Sequence, residues 1–151
     1  LGVNYTSIDS EVEVPELEQQ SLASFGLDQL TRRLQGQPEF VVNASLTWDH
    51  PRWGSSLAVF YNQIGEVLLT GAAVGDSAVP DVLESTYETL DFRYSQSFPR
   101  VKKVDFSASL KATNLLRSEK GSVFRTPYGE EETKVLHDTA MKIGLSLNWK
   151  W

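Results

Sequence analysis

Apolar and polar residues alternate along several long stretches of the chain. In 40–49, Phe40, Val42, Ala44, Leu46 and Trp48 are interleaved with Val41, Asn43, Ser45, Thr47 and Asp49. Leu90, Phe92 and Tyr94 alternate with Asp91, Arg93 and Ser95. Val104, Phe106, Ala108, Leu110 and Ala112 alternate with Asp105, Ser107, Ser109, Lys111 and Thr113. The longest unbroken case comes last, with Met141, Ile143, Leu145, Leu147, Trp149 and Trp151 set against Lys142, Gly144, Ser146, Asn148 and Lys150. Successive side chains of a strand point to opposite faces, so a period of two predicts strands with one apolar face. Two further strands are less regular. Segment 1–14 carries Leu1, Val3 and Tyr5 in phase and loses it near Ile8, and 56–68 carries Leu57, Val59 and Tyr61 on one side with Ala58, Phe60 and Asn62 on the other. A β-bulge would account for each phase change.

The connections have an order of their own. Short ones at 49–54 and 99–103 alternate with long polar ones at 15–37, 69–86 and 116–138. Loops of about 20 residues are foreign to compact soluble domains. Outer-membrane barrels, by contrast, have short periplasmic turns and long extracellular loops. Strands of 10–14 residues also exceed the usual five or six and match a tilted membrane crossing. The better-phased apolar faces carry no charge, as a lipid-facing surface requires. Phe40, Trp48, Trp53, Phe98, Trp149 and Trp151 sit near strand ends, where interfacial aromatic girdles belong. The predicted fold is all-β, an antiparallel transmembrane β-barrel segment of about six long strands. A soluble β-sandwich accounts for the alternation but not for the loop order or the strand lengths.

Composition adds exclusions. With 14 basic and 20 acidic residues among 151, the net charge is -6, which disfavours nucleic acid as a partner. No apolar run reaches the ~18 residues of a spanning helix. The absence of cysteine removes disulfides and thiolate chemistry. The chain opens at Leu1 without a secretory leader, so the expectation is an interior or processed start. No nucleophile elbow, His-Glu-x-x-His or phosphate-binding glycine loop occurs. The expectation is therefore no enzyme, no catalytic residue, no cofactor and no metal site.

Residues 33–38 (Arg-Leu-Gln-Gly-Gln-Pro) followed by Val41, Val42 and Asn43, the stretch from Phe106 to Leu116 ending Ala-Thr-Asn-Leu-Leu, and the final Ile143–Trp151 occur in an order that resembles the C-terminal part of TonB-dependent outer-membrane receptors. Asn4, Tyr5 and Thr6 with Asp9 and Ser10 add to the likeness, which spans nearly the whole chain. Trp151 stands where that family usually ends in Phe. The resemblance implies that residues 1–151 are the C-terminal portion of a larger barrel, lacking the plug domain and the earlier strands. It implies a parent in the bacterial outer membrane that imports a scarce ligand: a ferric siderophore, cobalamin or a glycan. The implied partners are the lipid bilayer, the plug and remaining barrel, the inner-membrane TonB complex, and the outer-membrane assembly machinery. That machinery would read the closing strand 140–151 through Met141, Ile143, Leu145, Leu147, Trp149 and Trp151. Ligand-contacting residues are not assigned. Other readings are a different outer-membrane barrel, such as a pore or adhesin, and a soluble all-β binding module.

Other features read as scaffold. His50 and His137 lack partners at ligand spacing. The acidic runs Asp9, Glu11, Glu13, Glu16, Glu18 and Glu130, Glu131, Glu132 read as solvated charge before cation sites. Gly71 and Gly75 have GxxxG spacing in a loop. Leu17, Leu22, Phe25, Leu30 and Leu34 suggest a short amphipathic helix within 15–37, packed over the barrel mouth. The lumen side of the barrel would carry Asn43, Ser45, Thr47, Arg93, Ser95, Ser107, Ser109, Lys111, Ser146 and Asn148.

Overall fold

A computed structural model describes residues 1–24, 26, 28, 30–71, 80–101, 104–125 and 131–150, with backbone alone at 99–101, 104 and 131. Six strands form one antiparallel sheet: β1 (Gly2–Ser7), β4 (Phe40–His50), β5 (Ser55–Ile64), β8 (Tyr87–Val101), β9 (Val104–Thr113) and β12 (Lys142–Lys150). They neighbour one another in chain order, an uninterrupted meander. These are the six stretches in which apolar and polar residues alternate. The sheet is open, with β1 and β12 at its edges.

All of the longer connections leave from one end of this sheet, the loop end. The first contains β2 (Val12–Glu13) paired with β3 (Thr31–Arg32), and between them α1 (Glu16–Ser24). The second and third supply β6 (Val67–Thr70), β7 (Val82–Glu84), β10 (Lys120–Arg125) and β11 (Glu131–His137). These four make a separate sheet in the order β11-β10-β7-β6. Segments 69–86 and 116–138, read from sequence as polar loops, are thus partly strand.

The two phase changes have a simpler cause than a bulge. β1 ends at Ser7, after which the Ile8 amide donates to the Glu39 carbonyl (2.9 Å) and the chain leaves the sheet. Segment 56–68 splits at Gly65 between β5 and β6, which belong to different sheets. Glycine is needed there, because a Cβ at Gly65 would stand 2.8 Å from the Phe40 ring. The ladder irregularity of the main sheet lies instead between Phe98 and Val101.

The apolar core is displaced from the main sheet. Among the described residues the buried apolar side chains are Val14, Leu22, Val67, Leu68, Val82, Leu83, Ala112 and Val123, and only Ala112 belongs to the six-stranded sheet. Leu68, Leu83 and Val123 cluster across the small sheet, and Val14 meets Leu22 of α1. α1 carries Glu16 and Glu18 in its first turn, where backbone N–H groups favour negative charge. Only Leu22 of its apolar residues is fully buried, and Leu17 is 68% exposed, so its amphipathic character is weak.

Candidate functional site

Strand register decides which side chains share a face, because residues directly opposite one another point the same way. The chain Trp48↔Leu57↔Tyr94↔Leu110↔Leu145 crosses five strands. The next set is Leu46↔Val59↔Phe92↔Ala112↔Ile143. Val3 faces Ala44 and Tyr5 faces Val42 on the same side, while Phe106 faces both Phe98 and Trp149. The alternating patterns therefore merge into one apolar band across all six strands. Among the described residues no second layer packs over it: Leu145 is 70% and Trp149 62% exposed. At about 4.8 Å between strands and about 3.3 Å per residue, the band measures on the order of 600 Å² in flat projection. That matches the upper end of patches on soluble monomers before side-chain relief is added.

Among the described residues, polar groups on this side occur only at its two borders. At the loop end Gln63 faces Glu88, and the Tyr61 hydroxyl donates to Glu88 Oε2 (2.7 Å). At the turn end Gln96 accepts from the hydroxyls of Ser55 (2.6 Å) and Tyr94 (2.7 Å). Aromatic rings gather at the same borders. Tyr5 stacks with Phe40 at 6.3 Å near the loop end. His50 stacks on Trp53 at 4.2 Å and lies 5.6 Å from Trp48, and Phe98 meets Phe106 at 5.2 Å, near the turn end.

The borders are not square to the strands. The polar row Thr47↔Ala58↔Arg93↔Lys111↔Gly144 provides a reference line. Phe40, at the loop end of β4, stands seven residues from Thr47, whereas Lys142, at the loop end of β12, stands two from Gly144. The turn-end aromatics shift likewise: Trp48 lies one residue past Thr47 and Trp149 five past Gly144. A drift of four to five residues over the four strand steps from β4 to β12 makes the strands lean about 35–40° from the normal to these borders. Strands of closed barrels lean about 35–45°.

The opposite face is polar. Asn43, Ser45, Thr47, Arg93, Ser95, Ser107, Ser109, Lys111, Ser146 and Asn148 all lie on it, as the registers Ser95↔Ser109↔Ser146 and Ser107↔Asn148 require. Asn62 donates to Asn43 Oδ1 across β4 and β5 (2.8 Å). Phe60, ambiguous in sequence, falls on this face opposite Ser45 and Asp91. Of the closing-strand residues, Ile143, Leu145, Leu147 and Trp149 line the apolar band of β12. Met141 precedes β12 and is half-buried, and Trp151 lies outside the described residues.

At the loop end a cavity of about 180 Å³ is lined by Arg32, Arg33, Glu66, Leu68, Asp81, Leu83 and Arg125. Arg32 pairs with Glu18 of α1 and lies 3.6 Å from Asp81 just before β7. Arg125 of β10 pairs with Glu66 at 2.6 Å, and Arg33 pairs with Glu39. The Arg32 side chain is 13% exposed and packs on Gly71, where any Cβ would run into its guanidinium. One arginine thus ties the helix of the first connection to both limbs of the second. Removing it takes the ion-pair partner from half-buried Glu18 and a neighbouring cation from Asp81, a cost of about 2–3 kcal/mol, somewhat below that of breaking a fully buried pair. We expect Arg32→Ala to make 15–37 several-fold more sensitive to limited proteolysis while the six-stranded sheet stays folded.

The remaining sequence candidates do not converge. Glu18 is an ion-pair partner, Glu13 lies in β2, and Glu131 and Glu132 of β11 are in register with Arg125 and Phe124 of β10. Glu130, Phe25 and Gly75 lie outside the described residues. His137 ends β11 opposite Lys120. Among the described residues no three His, Cys, Asp or Glu side chains come together to hold a metal ion, and no helix is long and apolar enough to cross a membrane.

One residue matters more than sequence reading gave it. Asn114, directly after β9 in the Ala-Thr-Asn-Leu-Leu stretch, is 8% exposed with φ 54°. Its side-chain amide donates to the Thr139 carbonyl (2.5 Å) and hydroxyl (3.0 Å), and its Oδ1 accepts from the Ser118 amide (3.3 Å). Its backbone N–H donates to Asp91 Oδ1 on β8 (3.0 Å). It locks the exit of β9 to the approach of β12. An asparagine directly after an alternating run is the signal, since Asn tolerates the left-handed conformation. No protein-family model matches the chain, and neither a curated protein nor a solved structure matches it significantly.

Proposed function

We propose that this chain is a wall segment of an outer-membrane β-barrel, the C-terminal portion of a TonB-dependent receptor. The observation that carries the membrane part is the bare apolar band. It runs over six strands and, among the described residues, holds no charge between its polar borders, while the buried apolar core lies elsewhere. A sheet in water must bury one face against another layer, whereas lipid covers such a face in a barrel. On β4 the band runs from Phe40 to Trp48, about 27 Å along the strand. At the lean of about 35–40° this gives just over 20 Å along the normal, close to the ~25 Å apolar height of outer-membrane barrels. The polar face then lines the lumen, the short turns face the periplasm, and the ion-paired loop end faces outside.

TonB-dependent uptake is the narrower part of the proposal, and it rests on the resemblance of 33–43, 106–116 and 143–151 to that family. The parent would capture a ferric siderophore, cobalamin or a glycan at its outer loops and pass it through the barrel as the plug rearranges. The chain would act as wall and loops, not as an enzyme. β12 would pair with an earlier strand of the parent and present its band to the assembly machinery. Uptake of a labelled ferric siderophore, cobalamin and an oligosaccharide by cells lacking the intact protein tests this. We expect one of the three to be lost, and lost equally in cells without TonB. Retention of all three in the deletion strain would contradict the transport reading.

A further inference from the structure

Among the described residues, Phe60 is the only aromatic ring on the polar face between the row Asn43↔Asn62↔Thr89 and the turn end. Ser45 and Asp91 stand opposite it, and it is 48% exposed. Towards the β1 edge the sheet has a depression of about 330 Å³. Its lining takes in two rows of the polar face: Gly2, Ser45 and Phe60 in one, Asn4 and Asn43 in the other. Val3, Ala44 and Tyr61, which complete the lining, lie between these rows and turn their side chains to the band. The floor is therefore main chain, and Phe60 forms one wall. Gly2 keeps the opposite side open, since a Cβ there would stand 3.1 Å from Ser45 Oγ.

No charged side chain lines this depression. Asn62 donates to Asn43 Oδ1, which leaves the Asn43 amide N–H groups without an acceptor among the described residues. An amide both donates and accepts, and so does the Ser45 hydroxyl. The Phe60 ring adds a flat apolar surface. A pyranose presents the matching pair of features, an apolar C–H face and a rim of hydroxyls that donate and accept. We propose that Phe60 is a stacking platform for a neutral sugar ring, whose hydroxyls bond to Asn4, Asn43 and Ser45. The step rests on reading this face as the wet interior of a transporter, and it narrows the ligand classes to the glycan. An anionic ligand would gain no cation in this depression. The volume lies at the low end of ligand sites, about 300–1,000 Å³, which suits a single ring and not a macrocycle. Being open, the depression buries less of its ligand than an enclosed cleft and would release it readily.

Saturation-transfer NMR on the intact protein in a zwitterionic detergent tests this, with methyl glucoside, methyl galactoside and methyl mannoside as probes and citrate as the anionic control. Saturation of the protein's aromatic protons is expected to reach the ring C–H protons of a sugar and not those of citrate. The transfer should fall several-fold in Phe60→Ala and persist in Phe60→Tyr, which keeps the ring. It should also fall in Gly2→Leu, which leaves Phe60 in place and fills the depression. No transfer to any of the three sugars, as when a protein segment is seated over Phe60, would overturn the proposal. Transfer that is undiminished in both Phe60→Ala and Gly2→Leu would overturn it as well. The uptake assay separates this failure from that of the transport reading. No sugar contact, with a ferric siderophore or cobalamin lost from the deletion strain, removes the platform alone, whereas retention of all three nutrients removes the transport reading beneath it.

Discussion

Arginine in place of Leu145 is expected to reduce stable insertion of the intact protein several-fold, whereas arginine in place of Ser146 is expected to be tolerated. Leu145 lies near the middle of β12, opposite Leu110, and Ser146 lies opposite Ser109 on the other face. A lipid-facing arginine near midplane costs about 2–4 kcal/mol. Against the marginal stability of folded proteins, about 5–15 kcal/mol, that is a large loss at one side chain. At position 146 the same charge would enter the wet interior, where the cost is small. The measurement is the yield of folded, heat-resistant protein in outer-membrane fractions. Equal yields for the two variants would mean that the two faces do not differ in solvent.

The second large effect is expected at Asn114. Alanine there loses two donated hydrogen bonds to Thr139 and one accepted from Ser118, and it must hold a left-handed φ of 54°. Hydrogen bonds contribute about 1 kcal/mol each, and the left-handed conformation costs a non-glycine residue about 1–2 kcal/mol. The expected destabilisation is about 4 kcal/mol, read as a lowered thermal midpoint of the detergent-solubilised intact protein. Asn114→Gly should recover the conformational share, about 1 kcal/mol, and no more. Asn114→Asp should not rescue, because a carboxylate would face the Thr139 carbonyl without a proton to donate. A variant with glycine as stable as the native protein would leave the side-chain bonds without weight.

How far the fold can be read from sequence depends on which residues encode it. The six long strands and their two faces are written in a period of two, strongest at 141–149, and cross-strand pairing then fixes the ambiguous case. Phe60 looked apolar in isolation, yet Leu57, Val59 and Tyr61 align with Trp48, Leu46 and Ala44, which sends Phe60 to the polar side. The small sheet escapes such reading because its strands β6 and β7 have four and three residues. Val67, Leu68 and Leu69 show no alternation, and β11 opens on Glu131 and Glu132. The Arg32 tie is illegible for a different reason. Its partners Glu18 and Asp81 are fourteen and forty-nine positions away, and no local pattern in the sequence links them. Asn114 is an intermediate case, since the residue type signals a left-handed turn but not the strands it joins.

The most direct measurement of the central claim is cysteine accessibility along β12 of the intact protein in its membrane. Residues 1–151 contain no cysteine, so each introduced thiol is unique in this region. Single replacements at Leu145, Ser146, Leu147 and Asn148 would be treated with a water-soluble maleimide before and after denaturation. The account predicts labelling at Ser146→Cys and Asn148→Cys in the native membrane, with Leu145→Cys and Leu147→Cys reacting only after denaturation. Labelling of all four at similar rates in the native state would contradict it.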